Sequence, residues 1–217
     1  MHRWHGGPLT QARHVPQAEG STPVTGSWEG FTWINEPARW EIDATGRLGW
    51  DTRPISDFWR NTGGVVGADD GDAFLRECVG DFAVRMQLNC HFESPYDQCG
   101  LMVRVDERNW LKAGIELDGG AWFSVVETHE NSDWSKQASS GGGVEFAVWR
   151  EGDTLRVGLV VDGVTQLVRE LLFDGPVTVG PYSCAPKGQG FPVYATMSWG
   201  SDGAWQVSAR AGEVASS

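Results

Sequence analysis

Hydrophobic and polar positions alternate with a period of two through most of the chain, and no stretch keeps the 3.6-residue period of a helix for more than about a turn. The alternation predicts strands over 31–35, 39–42, 47–50, 73–79, 81–92, 98–106, 109–117, 122–128, 144–150, 154–161, 166–173, 177–182 and 192–199. Turn chemistry separates them: Asp118-Gly119-Gly120, Glu151-Gly152-Asp153 and Asp162-Gly163 each stand between alternating runs. Two hairpins follow, 110–117 with 122–128 and 154–161 with 166–173. Many short antiparallel strands in 217 residues predict an all-β fold, a two-sheet antiparallel jelly-roll sandwich with one concave sheet. The ends lack periodicity, so residues 1–25 read as a flexible arm, 26–209 as one domain and 210–217 as a disordered tail. The polar stretch 129–137 and the following Ser139-Ser140-Gly141-Gly142-Gly143 read together as one long loop.

One strand departs from the usual inward-apolar, outward-polar pattern. In WLKAGIEL, alternation puts Leu111, Ala113, Ile115 and Leu117 on one face and Trp110, Lys112, Gly114 and Glu116 on the other. The first set is an ordinary core face. The second combines an indole, a cation and a carboxylate, which suits the floor of a binding site. Lys112 and Glu116 are roughly 13 Å apart along the strand at a rise of ~3.3 Å per residue, so each needs a partner elsewhere. A buried lysine serves as a base and a buried glutamate as an acid when burial shifts their proton affinities. The alternative for each is a structural salt bridge across the sheet.

Neighbouring segments add candidates. YDQCGLMVR sets Gln98, Gly100, Met102 and Arg104 on one face, and a glutamine beside a glycine offers a donor, an acceptor and room. ISDFWRNTGG carries Asp57 and Trp59 in a loop, a pairing suited to stacking on a sugar ring and bonding its hydroxyls. Asp57 with Glu116 would also supply the two acids of glycosidase chemistry. No Ser or Cys stands in a nucleophile-elbow motif, which weighs against a Ser-His-Asp hydrolase. Asp69-Asp70-Gly71-Asp72 reads as an acidic turn with a calcium loop as the minor alternative, and no metal or cofactor is expected.

Composition narrows the classes. Seventeen Lys and Arg against 29 Asp and Glu give a net charge of −12, which argues against nucleic acid and anionic membrane surfaces as partners. No apolar run approaches the roughly 20 residues of a membrane span, and the N-terminus has no apolar signal core, so a cytoplasmic location is the default expectation. Cys78, Cys90, Cys99 and Cys184 form no CxxC pair and read as buried free thiols rather than disulfides or zinc ligands.

The segments DFWR (57–60), YDQCGLMVR (96–104), NWLKAGIEL (109–117), SVVETHENSDWS (124–135) and VGPYSCAPKGQGF (179–191) stand in the order typical of the domain-of-unknown-function 1349 family. The chain resembles that family from about 31 to 199. The resemblance implies a concanavalin A-like sandwich of the lectin/glucanase type. It also singles out Asp57, Trp59, Asp97, Gln98, Trp110, Lys112, Glu116, Thr128, Ser132, Asp133 and Trp134 as motif positions. The N-terminal arm and the glycine run at 141–143 depart from a plain member. Carbohydrate binding or cleavage is common on this architecture, but that is analogy at the level of the fold.

The leading expectation is a binding module for a small polar, sugar-like molecule on the concave sheet. Trp59 and Trp110 would stack on it. Gln98, Lys112 and Asp57 would hydrogen-bond it, and Glu116 would position it, with Thr128, Asp97, Asp133 and Trp134 nearby. The alternative is an enzyme of glycoside hydrolase, lyase or isomerase type. There Glu116 or Asp57 would be the acid/base, and Lys112 would stabilise charge or take a proton. Regulation through protein contacts is a third reading, resting on a yeast family member described as a regulator of enolase.

Overall fold

The computed structural model describes residues 24–25, 28–64, 66–139 and 144–200. Among the described residues, seventeen strands form two main antiparallel sheets and one small hairpin. The eight-stranded sheet runs β15 (Val164–Leu172), β14 (Thr154–Val161), β13 (Val144–Glu151), β8 (Phe82–Cys90), β17 (Pro192–Gly200), β4 (Leu48–Asp51) and β3 (Trp40–Ile42), with β1 (Val24–Thr25) also on β17. The seven-stranded sheet runs β12 (Asn131–Ala138), β11 (Ala121–His129), β10 (Asn109–Leu117), β9 (Gln98–Arg104), β16 (Val177–Cys184), β7 (Asp72–Cys78) and β2 (Thr32–Ile34). The hairpin pairs β5 (Phe58–Trp59) with β6 (Ala68–Asp69). Every predicted strand is present within a few residues of its expected bounds. The chain is a jelly-roll sandwich with no α-helix among the described residues.

The main core lies between the two sheets. Leu111, Ala113 and Ile115 of β10 pack there with Leu101, Phe123, Phe146 and Val148, as the alternation requires. At about 1.5–3 kcal/mol for each fully buried large apolar side chain, this layer supplies most of the force holding the sheets together. The four cysteines are unpaired, three of them buried.

Two local expectations fail. Val24 and Thr25, the last residues of the predicted arm, pair with Trp199 and Ser198 of β17. The polar stretch after His129 is strand β12, pairing with β11 from Asn131↔His129 to Ala138↔Trp122. An edge strand with little buried surface carries no apolar alternation, so composition alone reads as loop. The rest of the arm, the tail and the glycine run 141–143 lie outside the described residues.

Candidate functional site

Strand register decides which side chains share the outer face of the seven-stranded sheet. Reading across neighbouring strands, Trp122, Glu116, Gln98 and Cys184 form one row. Lys136, Ser124, Gly114, Gly100 and Tyr182 form the next, and Trp134, Val126, Lys112 and Met102 the one after. Gly114 and Gly100 are direct partners, and a Cβ on either would run into the backbone of the adjoining strand. The sheet therefore has no side chain at its centre, and the Tyr182 ring lies over Gly100 beside the gap.

The segment from Asp57 to Asp70, including the β5–β6 hairpin, covers one end of this face. Phe58 is fully buried against Trp110 (ring centroids 6.3 Å apart) and Tyr182 (6.5 Å). Arg104 holds Asp69 through two hydrogen bonds of 2.7 and 2.8 Å. Ser132 accepts the Arg60 amide at 3.0 Å, and its own amide donates to the Arg60 carbonyl at 3.0 Å. Thr128, also fully buried, meets the Ser132 hydroxyl at 2.9 Å.

This cover splits the predicted site. Lys112 donates to the Phe58 carbonyl at 2.6 Å and meets Asp57 Oδ1 at 3.3 Å, with its side chain 2% exposed. Its ammonium is therefore the anchor of the cover and is not open to a ligand. Trp110 is completely buried, so it cannot stack on a ligand in this form, and its indole N–H has no partner among the described residues. Thr128 lies beneath the cover as part of the Ser132 anchor. Asp97 accepts the amides of Glu93 and Ser94 at 2.9 and 2.8 Å, shaping the turn before β9 instead of reaching the outer face. Asp133 points the other way from Trp134, is 73% exposed and lies 3.5 Å from Arg169 of β15. The acidic turn is also used internally. Asp69 pairs with Arg104, Asp70 accepts the Asp57 amide, and Asp72 accepts the Arg53 amide.

Beyond the cover stands a second set of groups. Glu116 is 7% exposed and makes no ion pair among the described residues. Burial pushes its carboxyl above the ordinary value of 4.5, while the Lys112 charge and a hydrogen bond from Ser124 pull it back down. Ser124 in turn accepts the Trp134 indole N–H at 3.0 Å. Trp134 meets Trp59 edge-to-face at 6.5 Å, and Lys136 stands over both Trp134 (5.1 Å) and Trp122 (4.9 Å) while pairing with Asp118. Gln98, 4% exposed, donates to the Tyr96 carbonyl at 3.2 Å. Burial raises the Tyr182 phenol well above its ordinary value, with the nearby Cys184 and Glu116 adding to the effect. Sequence reasoning found Glu116, Gln98, Trp59 and Trp134 and missed Ser124, Tyr182, Trp122 and Lys136. All four lie in alternating runs, but only the cross-strand register brings them beside Glu116.

A profile of the family described as "Protein of unknown function (DUF1349)" matches residues 33–198. Regulation of enolase protein 1 of Saccharomyces cerevisiae is 36% identical over 168 residues, covering 75% of this chain and 84% of that protein. A crystal structure of a functionally unknown protein from the same yeast superposes with a TM-score of 0.73 at 34% identity, over 80% of this chain and 96% of that one. The GH43 protein BlXynB of Bacillus licheniformis reaches a TM-score of 0.65 at 13% identity. It covers 85% of this chain but 40% of its own, a likeness of fold alone.

Proposed function

The chain belongs to the DUF1349 family, and from the geometry of its seven-stranded sheet we propose that it is a binding module for a small polar, sugar-like ligand. The observation that carries this reading is Glu116, a buried carboxylate on an outer sheet face with no cation bonded to it among the described residues. A buried carboxylate without a bonded cation is costly to keep, and Ser124 and the Lys112 charge offset only part of that cost, which makes it a candidate functional group. Around it are an amide (Gln98), a phenol (Tyr182), the Ser124 hydroxyl and the Trp134 and Trp122 rings, a set that bonds hydroxyls and stacks on C–H faces. Lys112 and Asp57 act on the site indirectly, by holding the cover that forms one wall. The four free cysteines fit a reducing compartment, and we place the protein in the cytoplasm.

Isothermal titration against neutral sugars and sugar phosphates tests the proposal. Saturable binding that drops at least tenfold in Glu116→Gln and Trp134→Ala supports it. No saturable binding by any of these compounds, or equal binding by both variants, overturns it.

A second reading rests on a specific contrast. Glu116 has a raised carboxyl, whereas Asp57 is held by Lys112 and by the Phe58 amide at 2.8 Å. Two acids in unlike surroundings are the arrangement of an acid and its partner base in glycoside cleavage or elimination. Turnover detected by mass spectrometry, lost in Glu116→Gln while affinity is retained, would establish the enzyme reading over the binding one.

A further inference from the structure

The eight-stranded sheet carries a depression of its own on its outer face. Register sets Glu41, Gly49 and Tyr194 side by side on β3, β4 and β17. A depression of about 420 Å³ lies here, lined also by Arg39, Trp40 and Asp51. The Tyr194 ring leans over Gly49, its Cδ1 and Cε1 atoms 3.1 Å from where a Cβ would stand, so a side chain here would press on the ring. Tyr194 is 39% exposed, unusual for an aromatic on an inner strand of the sheet. Trp40 alternates with Glu41 on the edge strand β3 and turns its ring to the core side of the sheet, 5.7 Å from Phe74. Its indole N–H donates to Glu36 at 2.8 Å, and its ring packs edge-on against Trp33 at 5.7 Å.

The charges around the depression select the ligand class. Asp51 is paired with Arg39 at 2.5 Å, and Asp43 with Arg47 at 3.0 Å. The Arg47 guanidinium already stands 5.0 Å from the Tyr194 ring centroid. Charges of both signs stand at the depression, Arg47 at that ring and Glu41, which has no ion-pair partner among the described residues, so neither a cationic nor an anionic ligand is favoured. What remains is a neutral molecule with an apolar face for the Tyr194 ring and hydroxyls for the carboxylates, the guanidinium and the phenol. The size falls within the range of about 300–1,000 Å³ typical of small-molecule sites. We infer that this depression is a second binding site, on the opposite sheet from Glu116, for a neutral hydroxylated ring such as a pyranose.

The test is a titration of the full chain with xylohexaose, cellohexaose and mannohexaose, with tetramethylammonium as the cationic control. Two-dimensional amide NMR locates each response. The expected result is saturable binding of at least one oligosaccharide, with shifts centred on β3, β4 and β17. Tyr194→Ala should weaken that binding at least tenfold and Glu41→Ala severalfold, while Trp134→Ala and Glu116→Gln leave it unchanged. Both substituted side chains in the depression are solvent-facing, and matching amide spectra away from the depression confirm the variants are folded. Failure of all three sugars to bind there overturns the inference. So does binding of tetramethylammonium alone, or binding that survives Tyr194→Ala. Shifts confined to β9, β10 and β11 would overturn it while leaving the Glu116 reading intact.

Discussion

Replacing Lys112 with methionine separates an anchor from a ligand contact. Methionine keeps most of the apolar stem and its packing volume, so the change removes mainly the ammonium. The Phe58 carbonyl, a 2.6 Å acceptor in a buried setting, loses its donor, at a cost of about 1–3 kcal/mol. Asp57 loses a partner at 3.3 Å, but its side chain is 23% exposed and water can take over, so this adds at most about 1 kcal/mol. Together the expected destabilisation is about 1–4 kcal/mol, equivalent to a drop of about 2–16 °C in melting temperature for a domain of this size. Urea unfolding followed by tryptophan fluorescence measures it, and Asp57→Asn alone and combined with Lys112→Met completes a double-mutant cycle. The double variant should be less destabilised than the sum of the singles. The anchor role is refuted if Lys112→Met unfolds within about 0.5 kcal/mol of the wild type. Lost ligand affinity at unchanged stability would instead restore Lys112 to the binding surface.

Asp72 gives a pH signature. Burial lifts its carboxyl from 3.8 to about 6, against the opposing pull of the Arg53 amide and charge. The folded state therefore holds a proton that the unfolded chain has released. Its stability contribution is fully present below pH 3.8 and is lost as pH rises to about 6, up to about 3 kcal/mol in all. Unfolding free energies of wild type and Asp72→Asn should diverge across that window in favour of the variant, and a pH-independent difference would show the carboxyl titrates normally. Ile55 has a left-handed backbone (φ 51°) with its β-branched side chain 60% exposed. Ile55→Asn should therefore stabilise by about 0.5–1 kcal/mol in thermal melts, and a loss would show that the side chain packs usefully. Ser132→Ala strips the acceptor from the Arg60 amide and should cost about 1–2 kcal/mol. It should also speed hydrogen exchange from residue 57 to 64, and unchanged exchange there would mean the Ser132 hydroxyl does not hold the cover.

The period-two alternation determined the strands and which face of β10 joins the core, because burial on one side of a pleated strand leaves a local, repeating mark. It also determined that Trp110, Lys112 and Glu116 share the other face. It could not tell that Trp110 and Lys112 lie under the Asp57–Asp70 segment while Glu116 is buried beyond it. That depends on where the Asp57–Asp70 segment comes to rest, through contacts such as Lys112 to Phe58 and Arg104 to Asp69 that join residues 54 and 35 positions apart. The polar strand β12 was invisible for a related reason. An exposed edge strand owes its place to backbone pairing with β11, which any side-chain sequence can supply. The same holds for the two outer-face gaps. Gly100 beside Gly114, and Gly49 between Glu41 and Tyr194, become neighbours only through register, and register is a property of the whole sheet.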